Sequence, residues 1–507
     1  MMREDWVETE LGYISKIYNG NSINAQLKKE KYLNFPSGFN YIATKDLSSD
    51  GVINYQNGIK IPINEPKFKI APNGSVLVCS EGGSAGRKTA YVNEDICFGN
   101  KLFAITNEFN LIEGKYVFYY TRYRKFFEDF KNQMNGIIGG VSARKFSLIP
   151  FPLSPLPIQR AIVSKIETLF SDLDNGISDL KKAQDQLRIY RQAVLKKAFE
   201  GELTKGWRDK QIDLPAAEEL LEQIKQERQK HYEQQLDDWK KSIKIWEENG
   251  KEAKRPSKPR QLVEIPVISE DELIELPVLP KTMFWKRLGD IVWSVKDGPH
   301  YSPKYSESGI PFLSGGNIRP SGVDFKNVKY ISLELHGELS KRCKPELNDI
   351  LYTKGGTTGI ARVNTYDFDF NVWVHVAVLK SIDSIVPFYL QHVLNSTHCY
   401  KQSQKYTHGV GNQDLGLTRL VLIVLPICSK REQHQIVREI ESRLSVCDKV
   451  EESIKEGLEK AEALRQSILK KAFEGKLLSQ AEIEKCKQEP DYEPASELLK
   501  KIKAERK

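Results

Sequence analysis

The segment RQAVLKKAFEG at Arg191–Gly201 returns as RQSILKKAFEG at Arg465–Gly475, identical at nine of eleven positions and 274 residues further on. Extended outward without a gap, the same offset keeps 18 of 47 positions identical between 158–204 and 432–478. These include Gln159/Gln433, Ile162/Ile436, Val163/Val437, Ile166/Ile440, Glu167/Glu441 and Asp174/Asp448. A duplication of this kind commits the chain to two copies of one plan. Each copy reads as a long helix. Ile162, Ile166, Leu169, Leu173, Ile177, Leu180, Leu187 and Val194 recur at helical steps, as do Ile436, Ile440, Cys447, Ile454, Leu458, Ala461 and Ile468. That spacing draws one apolar stripe, close to a heptad seam. Pro157 fits just before the first helix, and Gly201 and Gly475 stand where a left-handed C-cap is expected. A helix over about 158–200 is roughly 65 Å long at about 1.5 Å per residue. So narrow a stripe on so long a rod needs a partner. The other copy supplies one, with Ile162, Ile166, Leu173, Leu180, Leu187 and Val194 in the seam together with Ile436, Ile440, Ile454, Ala461 and Ile468. The alternative is that each helix packs separately on its own domain.

The stretches before the two helices read as mixed α+β modules. In 1–157, short apolar runs such as Tyr41–Ala43, Ser75–Val78 and Leu102–Ile105 are separated by Gly, Asn and Pro, as strands are. A helical patch rich in aromatic and basic residues follows at 114–133. Residues 284–430 repeat the plan more weakly. Leu11-Gly12 answers Leu288-Gly289, Ser75-Val76-Leu77 answers Asp349-Ile350-Leu351, Gly82-Gly83…Gly86 answers Gly355-Gly356…Gly359, and Pro152 answers Pro426. Between these anchors the copies differ almost freely, as expected of two modules that hold different ligands. The connector 206–283 carries a charged helix at Pro215–Arg228, and a shortened version of it closes the chain at 494–506. Only the first version continues, into a stripe of Leu236, Trp239, Ile243 and Trp246 and then the basic, Pro-broken run at 251–260. The stripe predicts a buried helix hairpin or docking helix, and the charge run a solvated linker.

A formal charge of +8 and a pI near 8.8 suit a polyanionic partner without requiring one. The seven cysteines contain no C-x-x-C pair, which predicts reduced thiols in a cytoplasmic protein. The N-terminus has no apolar core of a signal peptide, and no stretch approaches the roughly 18 apolar residues of a membrane span. The loop EGGSAGRKT at 81–89 looks like a phosphate-binding loop, but that motif needs a Gly directly before its Lys, and Arg87 stands there. The repeat, KGGTTGIARV, has no Lys after its glycines. No Asn/Asp-Pro-Pro-aromatic, H-E-x-x-H or G-x-S-x-G motif and no Cys/His ligand spacing occurs, His392, His398 and Cys399 included. No catalytic residue, metal site or cofactor is expected.

Two divergent modules, each followed by a helix that opens Q-x-x-IV-x-x-IE and ends RQ-x-[VI]-LKKAFEG-[EK]-L, resemble the specificity subunit of type I restriction-modification systems. The resemblance covers nearly the whole chain. It implies two target-recognition domains, 1–157 and 284–430, each reading half of a bipartite site on double-stranded DNA. It implies that the helices, 158–205 and 431–479, form an antiparallel coiled coil that sets the spacing, with 206–283 as connector and 480–507 as helical tail. It further implies that two methyltransferase subunits dock and that restriction/motor subunits join for cleavage, the chain itself being non-catalytic. The insertion at 231–260 departs from the simplest pattern and leaves the connector geometry open.

In such a protein Lys and Arg on phosphates supply affinity, and side chains at base edges supply specificity. The candidates in the first module are Lys45, Arg87, Lys88, Lys101, Arg144 and Lys145. In the second they are Arg319, Lys354, Arg362, His375, His408, Asn412, Gln413 and Arg419. Lys101 and His375 occupy equivalent positions, as do Lys145 and Arg419, which suggests a common DNA-facing edge. The competing reading is a coiled-coil adaptor that holds proteins; salt-sensitive retention on duplex DNA separates the two.

Overall fold

The computed structural model describes residues 3–107, 111–134, 139–252, 254–259, 265–409 and 414–505. It divides into two compact units, Met1–Lys182 with Ile454–Lys507 and Ala183–Ser453. The division cuts both long helices, Leu156–Phe199 and Lys430–Phe473, each of 44 residues. Gly201 and Gly475 lie just beyond their ends at φ 77° and 73°, in the left-handed region that closes a helix.

In the first unit an antiparallel sheet runs in the order Lys16–Asn19, Leu102–Thr106, Val76–Cys79, Thr89–Tyr91. A second sheet runs Lys60–Ile61, Phe39–Ile42, Ile96–Phe98, Ile70–Ala71, with one parallel pair. Alternation along the strands connects the layers. Leu77, Cys79, Leu102 and Ala104 face Ile96 and Phe98 of the second sheet. Val76, Val78, Phe103 and Ile105 turn the other way, into a core shared with the helices. In the second unit the sheet Val292–Asp297, Val376–Ser381, Ile350–Thr353, Ala361–Val363 has the same order and the same two-sided burial.

The aromatic patch at 114–133 forms two helices, Gly114–Thr121 and Arg124–Asn132, rather than one. Tyr123 is extended between them. On an unbroken helix Phe126 would sit roughly 80° round from Tyr116; the break lets Tyr116, Tyr120, Phe126 and Phe130 enter one core. The second unit repeats the break between Pro387–Leu394 and Thr397–Tyr406.

Within each unit the long helices run antiparallel. In the first, Arg465 pairs with Asp174 and covers the Phe170 ring at 4.8 Å. In the second, Arg191 binds Asp448 at 2.7 Å and Glu451 at 2.9 Å. The duplicated Arg and Asp are thus used reciprocally, each Arg taking the Asp of the other copy, as in an isologous contact. Of the seam positions, Ile162, Ile166, Val194, Ile436, Ile440, Ile454, Ala461 and Ile468 are buried, while Leu173, Leu180 and Leu187 are half-buried. Two helices alone cover only part of a stripe; the helix ends gain more cover from the modules. Ile158–Phe170 and Ile468–Phe473 contribute to the core of the first unit, and Val194–Phe199 and Ile436–Ile440 to that of the second. Phe473 packs on Tyr116 at 5.1 Å, and Phe199 on Tyr389 at 5.8 Å. The Leu, Ala and Phe of each LKKAFEG ending enter a core that a module and the other long helix share, while its two lysines stay exposed. Ile454→Asp is expected to cost about 3 kcal/mol, because a carboxylate would enter a closed seam. Leu187→Asp should cost less than half of that. Urea unfolding of the two variants checks the ranking.

The connector helix is continuous over Ala217–Glu248, well beyond the charged stretch. Its stripe of Leu236, Trp239, Ile243 and Trp246 is half-buried, and Trp239 Nε1 donates to the Pro256 carbonyl at 3.1 Å. The Pro-broken run meets the helix through that bond, while its charged residues Lys251, Glu252, Lys254, Arg255 and Lys258 stay exposed to solvent; 253 and 260 are outside the described residues. The closing helix, Ala495–Glu505, buries Leu498 and Ile502 in the core of the first unit.

Candidate nucleic-acid interface

Three segments meet at one edge of each module, and the backbone bonds that join them are duplicated. Ser80 donates its amide to Lys101 O (2.9 Å) and accepts from the Val141 amide (3.0 Å). Lys354 donates to His375 O (2.9 Å) and accepts from the Leu415 amide (2.8 Å). The glycine turn is pinned from behind in both copies. Gly86 has φ 68°, and an added Cβ would meet the Phe130 ring at 2.5 Å; Gly359 has φ 105° and would meet Tyr400 at 2.8 Å. Only glycine suits both the backbone angle and the approach, so the turn is a structural joint. The first copy is two residues longer here, since Cys79 bonds to Lys88 O while Thr353 bonds to Ile360 O. Arg87 and Lys88 occupy the longer turn.

In the first unit the structure gathers four of the six candidates around this joint. Lys45 is exposed on the turn Thr44–Asp46, and Lys88 Nζ donates to Thr44 O at 3.4 Å. Arg87 is exposed above the Phe127 ring at 5.2 Å, and Lys101 is exposed in an ion pair with Glu81 at 3.1 Å. Arg144, exposed, and Lys145, half-buried, lie on the short helix Ala143–Phe146, capped by Ser142.

The second unit differs. Lys354 is 2% exposed and lies between Asp414 at 2.9 Å and Asp297 at 3.3 Å. As placed, it is an internal ion-pair lysine rather than a surface cation. Arg419 also turns inward, onto the carbonyls of Leu415 (2.7 Å) and Asp414 (2.8 Å). Arg362 is half-buried and donates to Arg319 O at 3.0 Å, and burial draws its pKa below the ordinary value. Arg319 is exposed and pairs with Asp324 at 2.9 Å. His375 meets Trp373 edge-on at 4.9 Å, and His408 is exposed where its backbone pairs with Asp414. Asn412 and Gln413 lie outside the described residues.

Other residues of the site region escape sequence reasoning. Asp297 is a buried carboxylate that accepts from Arg342 at 2.7 Å and faces His300 at 3.2 Å as well as Lys354. Gln159 and Gln433 are visible as duplicated positions, but their work is not. Gln159 accepts from the Glu113 amide and donates to Ser154 O (2.9 and 2.7 Å). Gln433 accepts from the Val386 amide and donates to Cys428 O (2.8 and 2.9 Å). Tyr116 and Tyr389 donate to Pro152 O and Pro426 O at 2.9 and 2.8 Å. A one-residue slip from the 274 offset hides that match in the sequence.

Among the described residues, no group of three or more His, Cys, Asp or Glu is arranged to hold a metal ion. Burial pushes His392 down to about 4, while His398 bonds to Val424 O at 3.0 Å. Nor is any described helix long and apolar enough to cross a membrane.

With two frames of one design each followed by a long helix, the architecture is that of a duplicated recognition protein. The model of the type I restriction modification DNA specificity domain matches residues 3–182 and 280–460, and the chain belongs to that family. Membership makes it a DNA sequence-recognition subunit, itself non-catalytic. It is 26% identical over 516 residues to the type I restriction enzyme EcoBI specificity subunit of Escherichia coli, covering 100% of this chain and 93% of that protein. It is 22% identical over 535 residues to the EcoKI specificity subunit of Escherichia coli strain K12, covering 99% and 96%. A solved chain from work on complex assembly and conformational transition of the type I R-M system has a TM-score of 0.63 at 15% identity, covering 94% of this chain and 100% of that one. The HsdS subunit from Thermoanaerobacter tengcongensis has a TM-score of 0.50 at 16% identity, covering 94% and 98%. These two structures share the fold.

Proposed function

We propose that the chain reads a bipartite DNA site, one half with residues 1–157 and the other with 284–430. The paired helices at 158–205 and 431–479 hold the readers at a set spacing and carry two methyltransferase subunits, and restriction/motor subunits join that assembly for cleavage. The connector 206–283 and the tail 480–507 brace the modules. One observation carries this reading: the same backbone joint recurs in both modules with different side chains on it. Ser80 answers Lys354, and Lys101 answers His375. Lys145 and Arg419 follow on matching short helices, Ala143–Phe146 and Leu417–Leu420. A frame kept while its edge changes suits two readers of different base sequences. Cations such as Arg87, Lys101 and Arg144 meet phosphates and position the duplex, and polar groups near the joint meet base edges.

The test is reconstitution with methyltransferase subunits, followed by mapping of methylated adenines. The expected motif has two specified blocks separated by unspecified bases. A single continuous motif would overturn the bipartite reading, and loss of duplex binding at all salt concentrations would overturn DNA recognition.

A further inference from the structure

A cleft of about 290 Å³ in the first unit lies between the glycine turn, the break between the paired helices, and the second long helix; Ser49, Arg87, Arg122, Arg124, Phe127 and Gln466 line it. Three of its lining side chains are guanidinium groups and none is a carboxylate. Arg122 is half-buried, its Nη1 donates to Ser49 O at 3.2 Å, and burial draws its pKa below the ordinary value. Asp50 and Glu462 offset that burial only in part, and the hydrogen bond of Arg122 goes to a carbonyl, so a cation partly stripped of water gains from an arriving anion. Arg87 covers Phe127, and Arg124 pairs with Glu128 at 3.1 Å in an exposed contact that a stronger anion can replace.

The second module shows that the fold does not need these arginines. Its paired helices, Pro387–Leu394 and Thr397–Tyr406, match Gly114–Thr121 and Arg124–Asn132. Asn395 stands in place of Arg122 and closes the gap neutrally, exchanging bonds with the Ala361 amide and carbonyl at 3.0 and 2.9 Å. Thr397 stands in place of Arg124 and donates to Gln192 at 2.6 Å. The shorter turn brings no counterpart of Arg87. In the first unit Gln466, the duplicate of Gln192, instead accepts from the Arg124 amide (3.1 Å) and donates to Arg122 O (3.3 Å). Module docking there uses backbone groups, which leaves the guanidinium groups free of that task.

We propose that the Arg87–Arg122–Arg124 cleft is a phosphate-holding subsite for the DNA backbone beside the first half-site, present in one module only. The inference rests on the DNA-recognition reading above. Guanidinium forks match phosphate oxygens in pairs, and Arg87 shares its turn with Lys88, close to Lys45. The cleft is therefore continuous with the cationic edge of the module. It contributes affinity and register but no base information.

The experiment compares the full chain, assembled with methyltransferase subunits, with its Arg87→Gln/Arg124→Gln variant on a duplex carrying the recognised site. Both residues are exposed, so folding should be kept; an unchanged thermal midpoint verifies this. The plot of log affinity against log salt should become shallower by about one unit, since each phosphate contact contributes about 0.9. The methylated motif should stay the same, and Arg122→Gln should act in the same direction. An unchanged salt slope overturns the proposal. An unchanged slope with weakened methyltransferase assembly overturns it in favour of an acidic protein group in the cleft. If the unmodified assembly shows no salt-sensitive DNA binding, the DNA reading itself fails, a result distinct from either.

Discussion

Exchanging residues 1–157 for the matching module of another family member should replace one block of the recognised motif and leave the other as it was. The docking contacts make the exchange feasible. Gln159 holds the module through the Glu113 amide and Ser154 O, and Phe473 closes on Tyr116 and Tyr120 at 5.1 and 5.2 Å. Much of this reaches backbone groups, which any module of the same frame offers. A donor that keeps a tyrosine at position 116 should therefore seat on the same helices. The expected effect is large, because each wrong base pair costs about 1–3 kcal/mol and a whole block changes at once. Site preference should switch by several orders of magnitude at one half. Mapping methylated adenines for parent and chimera reads the result, and a shift in both blocks would show that specificity is shared across the modules. The closing helix packs Leu498 and Ile502 into the same unit, so a chimera that folds poorly should recover when its tail, 480–507, comes from the same donor as its module.

Some of this was legible in the residues alone. The long helices were, because identity at one offset and helical period point the same way, and Gly201 and Gly475 marked their ends. Their reciprocal pairing was half visible. Asp174 and Asp448 appear as duplicated positions, but only an antiparallel arrangement joins Arg465 to the first and Arg191 to the second. The helix break at Tyr123 was hidden because an unbroken aromatic run carries no Gly or Pro to mark it. Charge was the least legible property. Lys354 reads as a cation beside a glycine turn, yet Asp297 and Asp414, distant in sequence, enclose it. Arg419 likewise serves nearby carbonyls. A lysine or arginine in a loop has the same letter whether it faces solvent or a buried carboxylate; tertiary packing decides. The same limit hid Arg122 and Arg124, which lie inside a stretch that reads as helix and join Arg87 only once the chain has folded.

Lengthening both long helices by four residues, after Leu180 and, opposite it, after Glu456, should widen the gap between the half-sites and leave the half-site sequences unchanged. The two sites face each other: a Cβ on Gly457 would meet Leu180 at 3.1 Å. Both helices must grow, because the reciprocal pairs Arg465–Asp174 and Arg191–Asp448 hold them in one register. Lengthening one alone would force one of those pairs apart. Four residues add roughly 6 Å of helix, and duplex DNA rises about 3.4 Å per base pair, so the preferred gap should grow by about one or two base pairs. Four residues also bring the stripe nearly back to its own face, whereas two would turn it by roughly 200°. The half-buried Leu180 would then sit on the wrong side of Leu187 and Val194, and the seam would open. The two-residue variant should lose methylation and thermal stability together, and the four-residue variant should keep both. Sequencing the methylated sites gives the gap directly. A four-residue variant that methylates with the original gap would refute the helices as a ruler, and full activity in the two-residue variant would refute the seam on which the ruler depends.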